Sequence, residues 1–214
     1  MQPLPFEVAA GDGIRIRGQV WPGGADWVVM VHDLGQDLDC WLPLVSPVVE
    51  RGYTVSAIDL RGHGASDGDP DRPDVGRDLS VAIAGARERC TGMLAVIADG
   101  AAAVASLAPD LEGHPDGLVL FSPRPEPEEL PRLRGSGTVK LFFVGAADAE
   151  ADRCVTELRN RSIGAAGVIS FATTVQGAGL LIGPWREHVI EQVVGFLELL
   201  RSPSASATHE GGNE

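Results

Sequence analysis

The sequence predicts one α/β domain on a mostly parallel sheet of about eight strands, with helices on both faces. Three observations predict it. Short apolar runs rich in Val and Ile alternate with helix-length segments from Trp27 onward. These runs are continuously apolar rather than alternating, which marks strands covered on both faces. Upstream, residues 6–9 and 14–20 flank Gly11-Asp12-Gly13, a hairpin turn signal, so an antiparallel pair precedes the parallel strands.

The elements follow in order. After the hairpin, strands are expected at 27–31, 54–58, 93–98, 117–121, 139–144 and 167–173. Helices are expected at 41–50, 75–89, 100–107, 149–160 and 185–200. The last is amphipathic, with Val189, Val193, Phe196, Leu197 and Leu200 on one stripe. Strand–helix alternation of this kind implies right-handed crossovers. The link from Phe121 to Val139 is too short for a helical cap. The domain is expected to span 1–201. From Ser202 the chain turns Ser-, Ala- and Gly-rich without an apolar anchor, so 202–214 reads as a disordered tail.

At 214 residues the chain is long enough to bury one core. Its 17 basic against 30 acidic residues make it an acidic protein and argue against nucleic acid or an anionic membrane as partner. The opening residues, Met1-Gln2-Pro3-Leu4-Pro5, are neither a secretion leader nor a membrane helix, so no membrane insertion is expected. Cys40, Cys90 and Cys154 are odd in number and form no CxxC pair, which fits free thiols in a cytoplasmic setting.

Two segments carry a family resemblance. "VVMVHDLGQD" (28–37) resembles the strand and His-Gly loop that bears the oxyanion donor in α/β-hydrolases. "AIDLRGHGASDG" (57–68) closely resembles the D-x-R-G-H-G-x-S-x-G turn of their lysophospholipase- and esterase-like serine hydrolases. The resemblance implies the α/β-hydrolase fold over roughly residues 5 to 200. It also implies a scaffold role for Asp59, Arg61 and His63.

The catalytic positions that the resemblance implies are degenerate. The G-x-S-x-G nucleophile turn aligns with Ile97-Ala98-Asp99-Gly100-Ala101, placing Asp99 at the serine. Ile97 at a close strand–helix contact predicts a relaxed or displaced turn. The histidine position after Gly177-Ala178-Gly179 is Leu180, which cannot carry a proton. Asp148 matches the triad acid, or caps the helix that starts at Ala149. His32, Asp33, Leu34, Gly100 and Leu180 complete the expected oxyanion-like pocket. A metal or acid/base cluster of His32, Asp33, Asp99 and Asp148 matches no ligand spacing, and neither metal nor cofactor is expected.

The leading expectation is therefore a non-catalytic member of the fold that binds a small molecule or a protein partner. The alternative is an active hydrolase of ester, epoxide or halide substrates, with Asp99 as nucleophile or base. That alternative needs a relocated histidine, either His188 or His32. A third reading is an interaction module in an assembly. The sequence leaves the ligand and the oligomeric state open.

Overall fold

The computed structural model describes residues 2–109, 111–133 and 137–202. It contains one eight-stranded sheet. The strands are β1 (Leu4–Ala9), β2 (Arg15–Trp21), β3 (Trp27–Val31), β4 (Thr54–Ile58), β5 (Leu94–Asp99), β6 (Gly117–Phe121), β7 (Val139–Gly145) and β8 (Ala166–Phe171). Their spatial order is β1-β2-β4-β3-β5-β6-β7-β8. Only the β1–β2 and β2–β4 pairings are antiparallel. β3, β4, β5 and β6 are buried along their whole length, as continuously apolar runs require.

Among the described residues, five α-helices cover the sheet: α1 (Leu42–Glu50), α2 (Val75–Arg87), α3 (Gly100–Ala105), α4 (Ala149–Arg161) and α5 (Arg186–Arg201). α1 and α5 share one apolar cluster with Trp41, Tyr53, Phe121 and Phe143. α2, α3 and α4 pack on the opposite face around Leu79, Ile83, Ala102, Val155 and Phe142. Val189, Val193, Phe196 and Leu197 of α5 are buried as the stripe predicts, while Leu200 sits partly covered at its end.

Several boundaries differ from the sequence reading. α3 stops at Ala105, where Ser106 Oγ folds back to donate to the Ala102 carbonyl at 2.8 Å. α2 stops at Arg87 rather than 89. β8 starts one residue early and stops at Phe171, whose carbonyl accepts from Ala146 and Thr173 as the chain turns away. Residues 122–133, between β6 and β7, contain no helix, so no cap covers the C-terminal edge of the sheet from there. The expected tail lies outside the described residues from 203 onward. Among the described residues, no helix is long and apolar enough to cross a membrane.

Candidate active site at the C-terminal edge of the sheet

The C-terminal ends of β3, β5 and β6 converge with the loop after β8, where open α/β sheets place ligands. Two histidines hold the β3 loop. His32 is 0% exposed; its Nε2 accepts from Leu60 N–H at 3.0 Å, which leaves Nδ1 to donate to the Asp33 carbonyl at 2.6 Å. Burial pulls its pKa below the usual imidazole value, consistent with this neutral ring. His63 does the same work from the neighbouring turn. Its Nε2 accepts from Gly35 N–H at 2.9 Å, and its Nδ1 donates to the Arg61 carbonyl at 2.8 Å. Both rings have their nitrogens committed to backbone, so His32 braces the pocket and does not line it.

The rest of that turn is equally committed. The Asp59 carboxylate accepts from Leu38 N–H at 2.9 Å and Ala65 N–H at 2.8 Å. Gly64 (φ +48) must be glycine, because a Cβ there would lie 2.2 Å from Asp59 Cγ. Arg61 grips the fully buried Asp78 of α2 through Nε and Nη2, at 2.9 and 2.7 Å from Oδ1. Its Nη1 reaches Asp12 of the hairpin at 3.0 Å.

The strand-to-helix turn after β5 differs from the sequence reading by one residue. Asp99 is extended (φ −117, ψ 147), and the left-handed residue is Gly100 (φ +49). Ile97 does not crowd the turn, because strand alternation sends its side chain to the face shared with Trp41 and Phe121. Ala98 and Ala102 lie instead in the opposite cluster, two residues either side of Gly100, where strand and helix come close. The turn keeps its shape with small residues in a shifted frame.

Above Gly100 stands Asp33. A Cβ on Gly100 would lie 2.0 Å from Asp33 Cγ. Asp33 Oδ1 accepts from Leu34 N–H and from Ala101 N–H, both at 2.8 Å. These two amides come from the β3 loop and from the residue after the left-handed position, the arrangement that forms an oxyanion hole. Leu34 therefore contributes its N–H, while its side chain is 42% exposed. Here both amides are taken by a carboxylate of the chain itself.

Asp99 is 2% exposed and faces a cavity of about 400 Å³ lined by Asp33, Gln36, Gly100, Ser122, Arg124 and Gln176 among others. Burial pushes its carboxyl up to about 7. The hydrogen bond from Ala178 N–H to Oδ2 at 2.8 Å opposes the rise, and the nearby Asp33 charge adds to it. Gly177 (φ +60) passes so close that a Cβ would lie 2.3 Å from Asp99 Oδ2.

Ser122, Gln36, Arg124 and Gln176 were not singled out from sequence. Ser122 is 4% exposed and holds a left-handed backbone, φ +44, unusual for a residue other than glycine. Its Oγ donates to Gln176 Oε1 at 2.7 Å and accepts from Gly177 N–H at 2.9 Å. Ser122 thus seats the loop that delivers Ala178 N–H to Asp99. The signal available beforehand was a serine ending an apolar strand just before a proline.

Other expected residues lie elsewhere. Leu180 is 0% exposed, because the 3-10 turn Gly177–Leu181 drives it into the apolar cluster with Phe171 and Val189. It lines no part of the cavity; Gln176 and Gly177 do so instead. His188 is exposed on α5, edge-on to Phe171 at 5.9 Å between ring centroids. Asp148 caps α4, accepting from Glu150 and Ala151 N–H at 3.1 and 3.2 Å, and pairs with Arg124. The structure therefore brings Asp33 and Asp99 together and leaves His32 and Asp148 outside the cavity. Among the described residues, no group of three or more His, Cys, Asp or Glu is placed to hold a metal ion.

The family model for serine aminopeptidase, S33, matches residues 25–144, from just before β3 into β7. The chain belongs to this family of α/β-hydrolases. Over 61 residues it is 46% identical to the dihydrolipoyllysine-residue acetyltransferase component of the acetoin cleaving system of Cupriavidus necator. That match spans 28% of this chain and only 16% of the relative. Among solved structures, the Pyrococcus furiosus esterase Pf2001 superposes with a TM-score of 0.78 at 16% identity, over 94% of this chain and 92% of that one. Est1E from Butyrivibrio proteoclasticus with bound ferulic acid gives 0.74 at 11%, over 91% and 98%. The bottromycin epimerase BotH in complex with bottromycin A2 gives 0.68 at 16%, over 90% and 99%. At these identities the likeness is one of fold.

Proposed function

We propose that this member of the family performs no serine-nucleophile hydrolysis and uses its cavity to bind a small molecule. One observation carries the reading. Gly100 stands at the left-handed position of the strand-to-helix turn, and the Asp33 carboxylate takes both amides that would stabilise an oxyanion. The nucleophile position is then Gly100, which has no side chain to react, rather than Asp99. The cavity, about 400 Å³, is within the range of roughly 300–1,000 Å³ common for ligand sites. The likeness to an epimerase as well as to esterases supports a use of this fold outside ester cleavage.

The test is fluorophosphonate labelling and p-nitrophenyl ester turnover by the purified protein. The expected result is no label and no turnover above buffer. A labelled serine would overturn the proposal.

A second reading draws on Asp99, a buried carboxyl that titrates near neutral pH beside a cavity, as proton donors and acceptors in enzymes do. Turnover of an ester, epoxide or halide that disappears in Asp99→Ala, with the fold intact, would establish it. The relocated histidine it needs is missing from the cavity lining, where neither His32 nor His188 is found.

A further inference from the structure

The sheet has two edges, and they are built differently. β1 carries Pro5, which has no N–H to offer, and Glu7, which is tied to Arg15 at 2.6 Å and Arg17 at 2.9 Å. Proline and charge are the usual guards against edge-to-edge pairing. β8, at the other edge, has neither. It lies in the longest uncharged run of the chain: the 24 residues 162–185 contain no Asp, Glu, Lys, Arg or His, in a sequence that is 22% charged.

The outward side of β8 follows from its inward bonds. At one end Lys140 N–H donates to the Ala165 carbonyl at 2.9 Å; at the other Ala146 N–H donates to the Phe171 carbonyl at 2.8 Å. In a parallel ladder successive residues alternate sides, so the odd-numbered residues of β8 serve β7. Ala166, Val168 and Ser170 then turn N–H and C=O away from the sheet. Gly167 and Ser170 are exposed, Val168 and Ile169 are half-buried, and Ile163 just upstream is 53% exposed.

We infer that β8 pairs with β8 of a second copy of this chain, antiparallel across a two-fold axis, joining two sheets into one. Two arguments choose a second copy as the occupant. An antiparallel pair about a two-fold is self-complementary, since the three outward residues supply equal donors and acceptors to their own image. Charge also selects it. A chain of net charge −13 repels its own copy wherever acidic surface meets acidic surface, and the uncharged run that contains β8 adds no side-chain charge to that repulsion. A partner recognised by its charge would find no side chain on this strand to pair with.

The experiment is sedimentation equilibrium of the full chain, with hydrogen exchange read at low and high micromolar concentration. The expected mass is twice 22.4 kDa. The amides of Ala166, Val168 and Ser170 should gain protection as concentration rises. Ser170→Pro removes one outward donor without touching the β7 ladder, and Gly167→Lys places a charge on the strand. Each should shift the equilibrium to monomer by tenfold or more in Kd with the circular dichroism unchanged, whereas Glu7→Gln on the opposite edge should not. A monomeric wild type would overturn the inference. So would a dimer that persists in both β8 variants, or one whose concentration-dependent protection falls elsewhere; a mass rising without limit would point instead to open-ended stacking.

Discussion

Two turns leave the C-terminal ends of β4 and β5, the strands on either side of β3, and they use their polar groups differently. The turn after β4 (59–68) keeps every residue of its motif, and the polar side chains of Asp59, Arg61 and His63 are spent inside the protein on backbone amides, a carbonyl or Asp78. In the turn after β5, Gly100 holds the left-handed corner with no side chain, and Asp33 reaches across from the β3 loop to accept from Ala101 N–H. The comparison teaches that a polar motif can be held in place for architectural reasons, whatever chemistry the turn beside it carries. The carboxylates of the first turn are spent on the fold alone, whereas Asp99 is held by Ala178 N–H and still faces the cavity.

The largest expected effect tests the architectural side. Asp78→Ala leaves Arg61 buried without its main partner, which costs about 3–5 kcal/mol. Urea unfolding should show a lowered midpoint at unchanged slope. A loss below about 1 kcal/mol, the value of a surface pair, would mean that this pair does not fasten the turn.

On the other side, Asp99 makes stability depend on pH. Its carboxyl ionises near the ordinary value of 3.8 when unfolded but at about 7 in the fold. Between those values the folded protein holds a proton that the unfolded chain has released. Stability from this group therefore falls as pH rises from 3.8 towards 7, and the full cost is present above 7. Asp99→Asn keeps an acceptor for Ala178 N–H and removes the charge. It should stabilise the protein at alkaline pH by up to about 4 kcal/mol, and flatten the pH dependence of the melting temperature. An unchanged slope would show that the charge is relieved in solution.

A smaller effect sharpens the comparison directly. Gly100→Ala forces a Cβ into a left-handed position, at roughly 1–2 kcal/mol, and into the Asp33 carboxylate. In an Asp33→Gly background only the first cost remains. A double-mutant cycle should therefore find coupling of about 1 kcal/mol or more between the two positions. No coupling would mean that Asp33 does not stand over Gly100.

Much of this was legible in the linear chain. The order and type of the elements followed from periodicity, because each apolar run is one strand or one helix stripe and carries its own signal. The scaffold role of the 59–68 turn was legible because its motif is one contiguous stretch whose glycines mark tight approaches, although partners such as Asp78, Leu38, Gly35 and Asp12 lie 17, 21, 28 and 49 residues from the residues that hold them. That no serine stands in this turn was visible too, but the sequence reading puts the corner at Asp99 rather than Gly100, since a strand that flows into a helix offers no marker for the residue at which the backbone turns left-handed. Ser122 was not legible: its partners, Gln176 and Gly177, lie 54 and 55 residues away. Leu180 was misplaced because a 3-10 turn rotates a loop residue in or out on a shift that composition does not encode.

The sequence by itself determined the fold, the antiparallel start and the absence of a serine at the nucleophile turn, since all three are written in local patterns of apolar residues, glycines and motif positions. Only the tertiary structure decided that Gly100 is the corner, that Asp33 occupies the two amides above it, and that Asp99 is the carboxyl left facing the cavity. The physical reason is distance along the chain. Asp33 meets Ala101 across 68 residues and Asp99 meets Ala178 across 79, and contacts of that span exist only once the sheet has brought the strand ends together.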